Sequence, residues 1–212
     1  NEKIILLQNK ALEFSLFLSL PASIALLIAS EEIISALFGY GTFDELSVKN
    51  SSKALFYFAF GLPAFSLIKV FSSFYFARKN TKLPFYISLT SVLLNILMSI
   101  TFFNQIGFII IPIATSISSW FNCILLFIFL KKDNLFTFNL TFISKFLKIL
   151  FSSVIMSIIV YYFLFYFKTN LAYNESFKSV FLVGIVIAGL ISYLLIAFFI
   201  KAFKISDINL KY

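Results

Sequence analysis

The chain has 212 residues, 61% of them hydrophobic and only 12% charged, with a formal net charge of +8. A water-soluble fold of this composition would lack the polar surface it needs, so its solvent is a bilayer. With no histidine and one cysteine, Cys123, these residues exclude His-based catalysis, an internal disulfide and a cysteine metal cluster.

Six apolar blocks reach the roughly 20 residues that a helix needs to cross a ~30 Å hydrocarbon core. They are Ala11–Ile28, Ala54–Ala77, Phe85–Phe103, Ile109–Leu130, Phe146–Phe167 and Val180–Ile200. They predict an all-α membrane protein of six transmembrane helices, without a separate soluble domain. Glu2 and Gln8 interrupt the residues before the first block, so no cleavable signal is expected. Asn1 in place of methionine suggests a piece of a longer protein.

The first span carries Pro21 in its middle and ends at Glu31 and Glu32. Gly39 and Gly41 then allow a tight turn, and Thr42 with Glu45 forms a capping-box pattern that starts a helix. The glycine pair lacks the third glycine and preceding strand of a nucleotide loop. The second helix begins near Asp44, and Gly61 and Pro63 should bend it. Pro84 suits the first turn of the third helix. A short hairpin, residues 104–108, leads to the fourth span, which carries Pro112. The linker from Lys131 to Lys145 includes an amphipathic stretch suited to the interface. In the last span, Gly184, Ala188 and Ser192 form a small-xxx-small stripe expected to pack against another helix.

With odd-numbered spans starting in the cytoplasm, twelve basic residues fall on the cytoplasmic side and four on the other. That positive-inside bias puts both ends of the chain in the cytoplasm. It also accounts for the net charge, so no nucleic-acid partner is expected.

Lys69 lies 8 residues from Ala77, roughly 12 Å along a helix from its inner end. A cation at that depth costs several kcal/mol unless water or an anion meets it. Ser66 and Ser73 share its helix face. Together the three predict a hydrated substrate cavity for an anionic ligand; the bland alternative is a snorkelling or structurally paired lysine. The third span carries a second stripe, Ser88, Ser91, Asn95 and Ser99, and the fourth carries a third, Thr115, Ser119 and Asn122. Such side chains either join helices by hydrogen bonds or offer oxygens to a weak cation site. All nine acids are expected in loops or near helix ends, which disfavours a strongly coupled proton or sodium site. No acid pair or nucleophile–base set suggests an enzyme, and no cofactor or metal is implied.

Residues 20–132 resemble the lipid II flippase family (MurJ, also called MviN), of the multidrug/oligosaccharidyl-lipid/polysaccharide exporter superfamily. The resemblance rests on Leu20-Pro21-Ala22, on Leu37-Phe38-Gly39-Tyr40-Gly41-Thr42-Phe43, on residues 57–65 with Lys69-Val70, and on the inner loop Tyr75-Phe76-Ala77-Arg78-Lys79-Asn80-Thr81-Lys82-Leu83-Pro84. It implies helices 9 to 14 of a fourteen-helix, two-lobe flippase. Residues 1–132 would be four helices of the second lobe, and 133–212 a linker plus two extra helices. The implied substrate is the undecaprenyl-pyrophosphate-linked peptidoglycan precursor, flipped from the inner to the outer leaflet of the bacterial cytoplasmic membrane. The implied partners are membrane lipids and a missing N-terminal lobe. Arg78 and Lys82 would meet headgroups at the inner mouth, and the apolar faces of the last two helices would form a groove for the lipid tail. Asn95 and Thr115 match positions of a sodium site proposed in some members, but Ser99 stands where a carboxylate would be wanted. The alternatives are a polysaccharide-repeat or multidrug exporter of the same superfamily, and a non-transporting scaffold.

Overall fold

The computed structural model describes residues 2–202, and the regular secondary structure among them is all helical. Its helices are α1 (Glu2–Ile28), α2 (Ser30–Phe38), α3 (Glu45–Phe76), α4 (Lys82–Ile106), α5 (Ile110–Lys132), α6 (Leu140–Tyr166) and α7 (Lys178–Phe199). All but α2 are long and apolar enough to cross a membrane. The 51-residue apolar stretch Lys82–Lys132 is two helices, because Gly107, at φ 73°, ends α4 and a 3-10 turn over Gly107–Ile109 starts the return through α5. The six expected crossings are therefore present. Lys204 and Lys211, two of the basic residues expected on the cytoplasmic side, lie outside the described residues.

Several expected boundaries move. α1 begins at Glu2, about two turns before the apolar block. Glu13 is consequently not near a helix end but within α1, 6% exposed. α2 is an additional short helix. The cap of α3 is Asp44, whose Oδ1 accepts the Ser47 N–H at 2.8 Å, and not Thr42. An N-cap side chain reaches the backbone two or three residues on, and Asp44 directly precedes the first helical residue. Gly41, at φ 61°, supplies the turn before it. The linker after α5 forms no helix of its own: residues 135–139 are irregular, and Lys145 and Lys148 belong to α6.

The chain divides into two compact units. One holds the chain up to Ser19 and Phe60–Phe146; the other holds Leu20–Ala59 and the chain from Leu147. In the first unit, α4 packs along α5. α5 buries small and polar residues, including Ala114, Ser116, Ser118, Ser119 and Asn122. Lipid tails are as apolar as leucine, so close approach and hydrogen bonds hold such helices together. Phe136 of the linker, 2% exposed, stacks on Phe74 and meets Phe71, Phe127 and Phe138 edge-on. In the second unit, Ser23 Oγ donates to the Ala59 carbonyl at 2.6 Å. Pro63 has no N–H to offer that carbonyl four residues back, so a side chain from α1 satisfies it inside an unbroken α3.

Candidate functional site

Lys69 lies in the C-terminal third of α3, about two turns before its end at Phe76, and is exposed on the surface of the described chain. Of its two expected companions, Ser73 is exposed and bonds back to the Val70 carbonyl at 2.7 Å. Ser66 is half-buried and pairs with Ser15 of α1 through their hydroxyls. The stripe thus divides: Ser66 joins two helices, while Lys69 and Ser73 face outward. A lysine at this depth in a membrane helix is costly against hydrocarbon unless water or an anion meets it or its side chain snorkels to the interface.

The two oxygen stripes face each other across α4 and α5. Asn95 Nδ2 donates to Thr115 Oγ1 at 3.0 Å and to Ser118 Oγ at 3.4 Å, and Asn122 Nδ2 donates to Ser88 Oγ at 3.4 Å. Thr115 Oγ1 in turn donates to the Ile111 carbonyl at 2.8 Å. This arrangement zips two helices. The Ser99 hydroxyl and Asn122 Oδ1 are buried without a partner. Among the described residues, no cluster of three or more His, Cys, Asp or Glu is arranged to hold a metal ion.

Arg78 and Lys82, expected at headgroups, have different surroundings. Arg78 is exposed but engaged, donating to the Phe74 carbonyl at 2.7 Å and the Leu135 carbonyl at 3.3 Å. It closes the end of α3 and ties it to the linker. Lys82 is exposed in the first turn of α4. The same linker is held from α1: Asn9 donates to the Thr137 carbonyl at 3.0 Å and accepts from the Asn139 N–H at 3.3 Å. Glu13 pairs with Lys145 at 2.7 Å.

In the second unit, the expected small-residue stripe is not the packing seam. α7 buries Leu182, Ile185, Gly189, Tyr193 and Ala197 instead. A Cβ on Gly189 would lie 2.7 Å from Val160 Cγ2 of α6, whereas one on Gly184 would meet nothing within 4 Å. Gly184 and Ala188, with Phe163, Phe167 and Phe181, line an apolar cleft of about 220 Å³.

Another cation is held in surroundings that the sequence did not disclose. Lys178, the first residue of α7, is 1% exposed. Its Nζ donates to the Gly39 carbonyl at 2.7 Å and the Tyr173 carbonyl at 2.6 Å. It lies 4.4 Å from the Tyr40 ring centroid and 4.7 Å from that of Tyr173, a cation–π box. The Tyr173 hydroxyl donates to the Phe43 carbonyl at 2.8 Å, and the Tyr40 hydroxyl pairs with Ser179 Oγ at 2.6 Å. One signal pointed here: a lysine opening a helix meets the positive end of its dipole, so it needs compensation. Nearby, burial is the main cause that raises the Glu32 carboxyl above its ordinary value, while hydrogen bonds from Ser47 lower Asp44.

The family model described as lipid II flippase MurJ matches residues 1–182. A probable lipid II flippase MurJ of Rhizobium meliloti (strain 1021) is 32% identical over 205 residues, which is 96% of this chain and 38% of the relative. That of Thermotoga maritima (strain ATCC 43589 / DSM 3109 / JCM 10099 / NBRC 100826 / MSB8) is 35% identical over 195 residues, 92% of this chain and 37% of the relative. A solved structure of lipid II flippase MurJ in an inward closed conformation aligns with TM-score 0.76 and 29% identity, over 94% of this chain and 40% of that one. The chain therefore spans about 38% of the length of the first of these relatives.

Proposed function

Because the chain belongs to the lipid II flippase MurJ family, we propose that it forms the C-terminal part of a transporter that moves the undecaprenyl-pyrophosphate-linked peptidoglycan precursor from the inner to the outer leaflet. MurJ is a family of transporters, not of catalytic enzymes. The chain is a multi-pass protein of the bacterial cytoplasmic membrane, and on the charge bias both its ends are cytoplasmic. Residues 1–132 supply second-lobe helices and residues 133–212 a linker with two added helices. The missing lobe is the partner that completes the cavity.

The observation that carries this reading is Lys69, outward-facing within a membrane helix, with Ser73 beside it. An ammonium there suits a pyrophosphate and needs a wet or anionic surface opposite. The cleft between α6 and α7 suits an isoprenoid tail. Lys82 suits headgroups more than Arg78 does, since the Arg78 guanidinium already serves two carbonyls. Asn95 and Thr115 serve as a weak cation site at most, because their mutual hydrogen bond would have to open first.

The test replaces Lys69 in the complete protein, with expression matched, and measures lipid II exposed on the outer leaflet. Lys69→Ala should lower transport by about tenfold, the size of one lost charge-assisted contact of ~1.5 kcal/mol. Lys69→Arg should retain much of it. Unchanged transport by the alanine variant would leave these helices a scaffold.

A further inference from the structure

The short helix α2 is built inside out. On a helical wheel Ile33, Ile34, Leu37 and Phe38 share one side, and Ser35 and Ala36 fall on the other. In a soluble domain the large apolar set would face the core. Here Ser35 and Ala36 are buried and Ile33 and Ile34 half-buried, while Leu37 is 60% and Phe38 56% exposed.

Two bonds hold this orientation. Ser179 Oγ donates to the Ala36 carbonyl at 2.8 Å, and Lys178 Nζ donates to the Gly39 carbonyl at 2.7 Å. The accepting residues bracket Leu37 and Phe38, and both donors belong to the first turn of α7. The outward face is therefore fixed by the Lys178 box.

At 9 residues the helix is roughly 13 Å long and cannot cross a bilayer. It directly follows the end of one membrane helix, α1, and lies against the start of another, α7. In the segments that follow α2 and open α7, Tyr40, Leu46, Phe177 and Val180 are exposed, and α7 also exposes Val183 and Ile187.

We propose that α2 lies in the membrane interface as an amphipathic anchor, with Leu37 and Phe38 set into the lipid at the boundary between headgroups and acyl chains. The partner is a lipid surface because α2 packs against α7, a helix long and apolar enough to cross a membrane that itself exposes large apolar side chains. Tyr40 and Phe177 fit the aromatic belt found at that level. The anchor would fix the level of the Lys178 box in the bilayer.

The test uses the full-length protein in vesicles of phosphatidylcholine and phosphatidylglycerol, other reactive cysteines replaced, with a spin label at Leu37→Cys or at Thr42→Cys. Molecular oxygen should reach the label at 37 better than a water-soluble nickel chelate does, at a depth of about 5–10 Å. The label at 42, in the exposed turn, should show the opposite preference. Equal nickel access at both sites would put α2 in water and overturn the proposal. A label at 37 reached by neither reagent would mean that protein covers this face, and would also overturn it. A second readout leaves the sequence unchanged: a lipid bearing a diazirine in its acyl chain should label the peptide containing Leu37 and Phe38. Labelling of the Val183 peptide without labelling of this one counts against the anchor.

Discussion

The Lys178 ammonium donates to the Gly39 carbonyl at 2.7 Å, so the first residue of α7 closes the end of α2. A cation is unfavourable at the positive end of its own helix and favourable at the negative end of another. The geometry exchanges the first situation for the second. Lys178→Met would leave the buried Gly39 carbonyl and the part-buried Tyr173 carbonyl without this donor. Each such loss costs about 1–3 kcal/mol. The thermal midpoint of the purified protein should fall clearly, and a midpoint equal to wild type would show that the box contributes nothing.

The α6–α7 seam makes a sharper prediction, because two glycines of one helix should behave differently. Gly189→Ala places a Cβ 2.7 Å from Val160 Cγ2, and a β-branched side chain cannot swing away cheaply. Overpacking of this kind costs about 1–3 kcal/mol. Val160→Ala in the same protein should recover much of that loss, giving a coupling of about 1 kcal/mol in a double-mutant cycle. Gly184→Ala should be close to neutral, since its added methyl meets nothing within 4 Å.

Glu13 and Lys145 join α1 to the start of α6 at 2.7 Å, with side chains 8% and 23% exposed. Lys145→Met would strand the more buried partner. Breaking a buried pair from one side costs about 3–5 kcal/mol, and the partial exposure of Lys145 points to the lower end. The double variant Glu13→Leu/Lys145→Met should be more stable than Lys145→Met alone. If it is instead less stable, the pair stabilises the fold beyond mutual neutralisation.

Hydropathy alone made six crossings legible, because a bilayer imposes length and apolarity on every spanning helix. Periodicity made the polar stripes of α4 and α5 legible, but not that Asn95 and Thr115, read as a weak cation site, bond to each other. What the sequence hid was whatever depends on two distant segments meeting. Nothing near Lys178 in the chain announces the Gly39 carbonyl 139 residues away. Glu13 read as a residue near the start of its helix, but α1 begins about three turns before it and Lys145 lies opposite. The small-residue stripe on α7 missed the seam by one position: Gly189 faces Val160, while Gly184 opens on a cleft. Composition tells which residues can pack closely, but only the neighbouring helix decides which ones do.

Glu32 and Asp44 flank the turn between α2 and α3 and should give opposite pH dependences. Burial raises Glu32 above its ordinary 4.5, with the neighbouring Glu31 charge adding to this. Between 4.5 and the raised value the native state holds the proton more tightly than the unfolded chain does, so stability falls as pH rises through that window. Glu32→Gln should therefore raise the thermal midpoint modestly at neutral pH and give no gain below 4.5. Ser47 lowers Asp44 below 3.8 by hydrogen bonding to its carboxylate. That contribution is complete above 3.8 and is lost as pH falls through the lowered value. Asn is as good a helix cap as Asp and does not titrate. Asp44→Asn should match wild type at neutral pH and retain the cap in acid, where wild type loses it. Thermal midpoints measured across the acid-to-neutral range for both variants check the two signs together. Parallel curves for Glu32→Gln and wild type would remove burial as the cause proposed for Glu32.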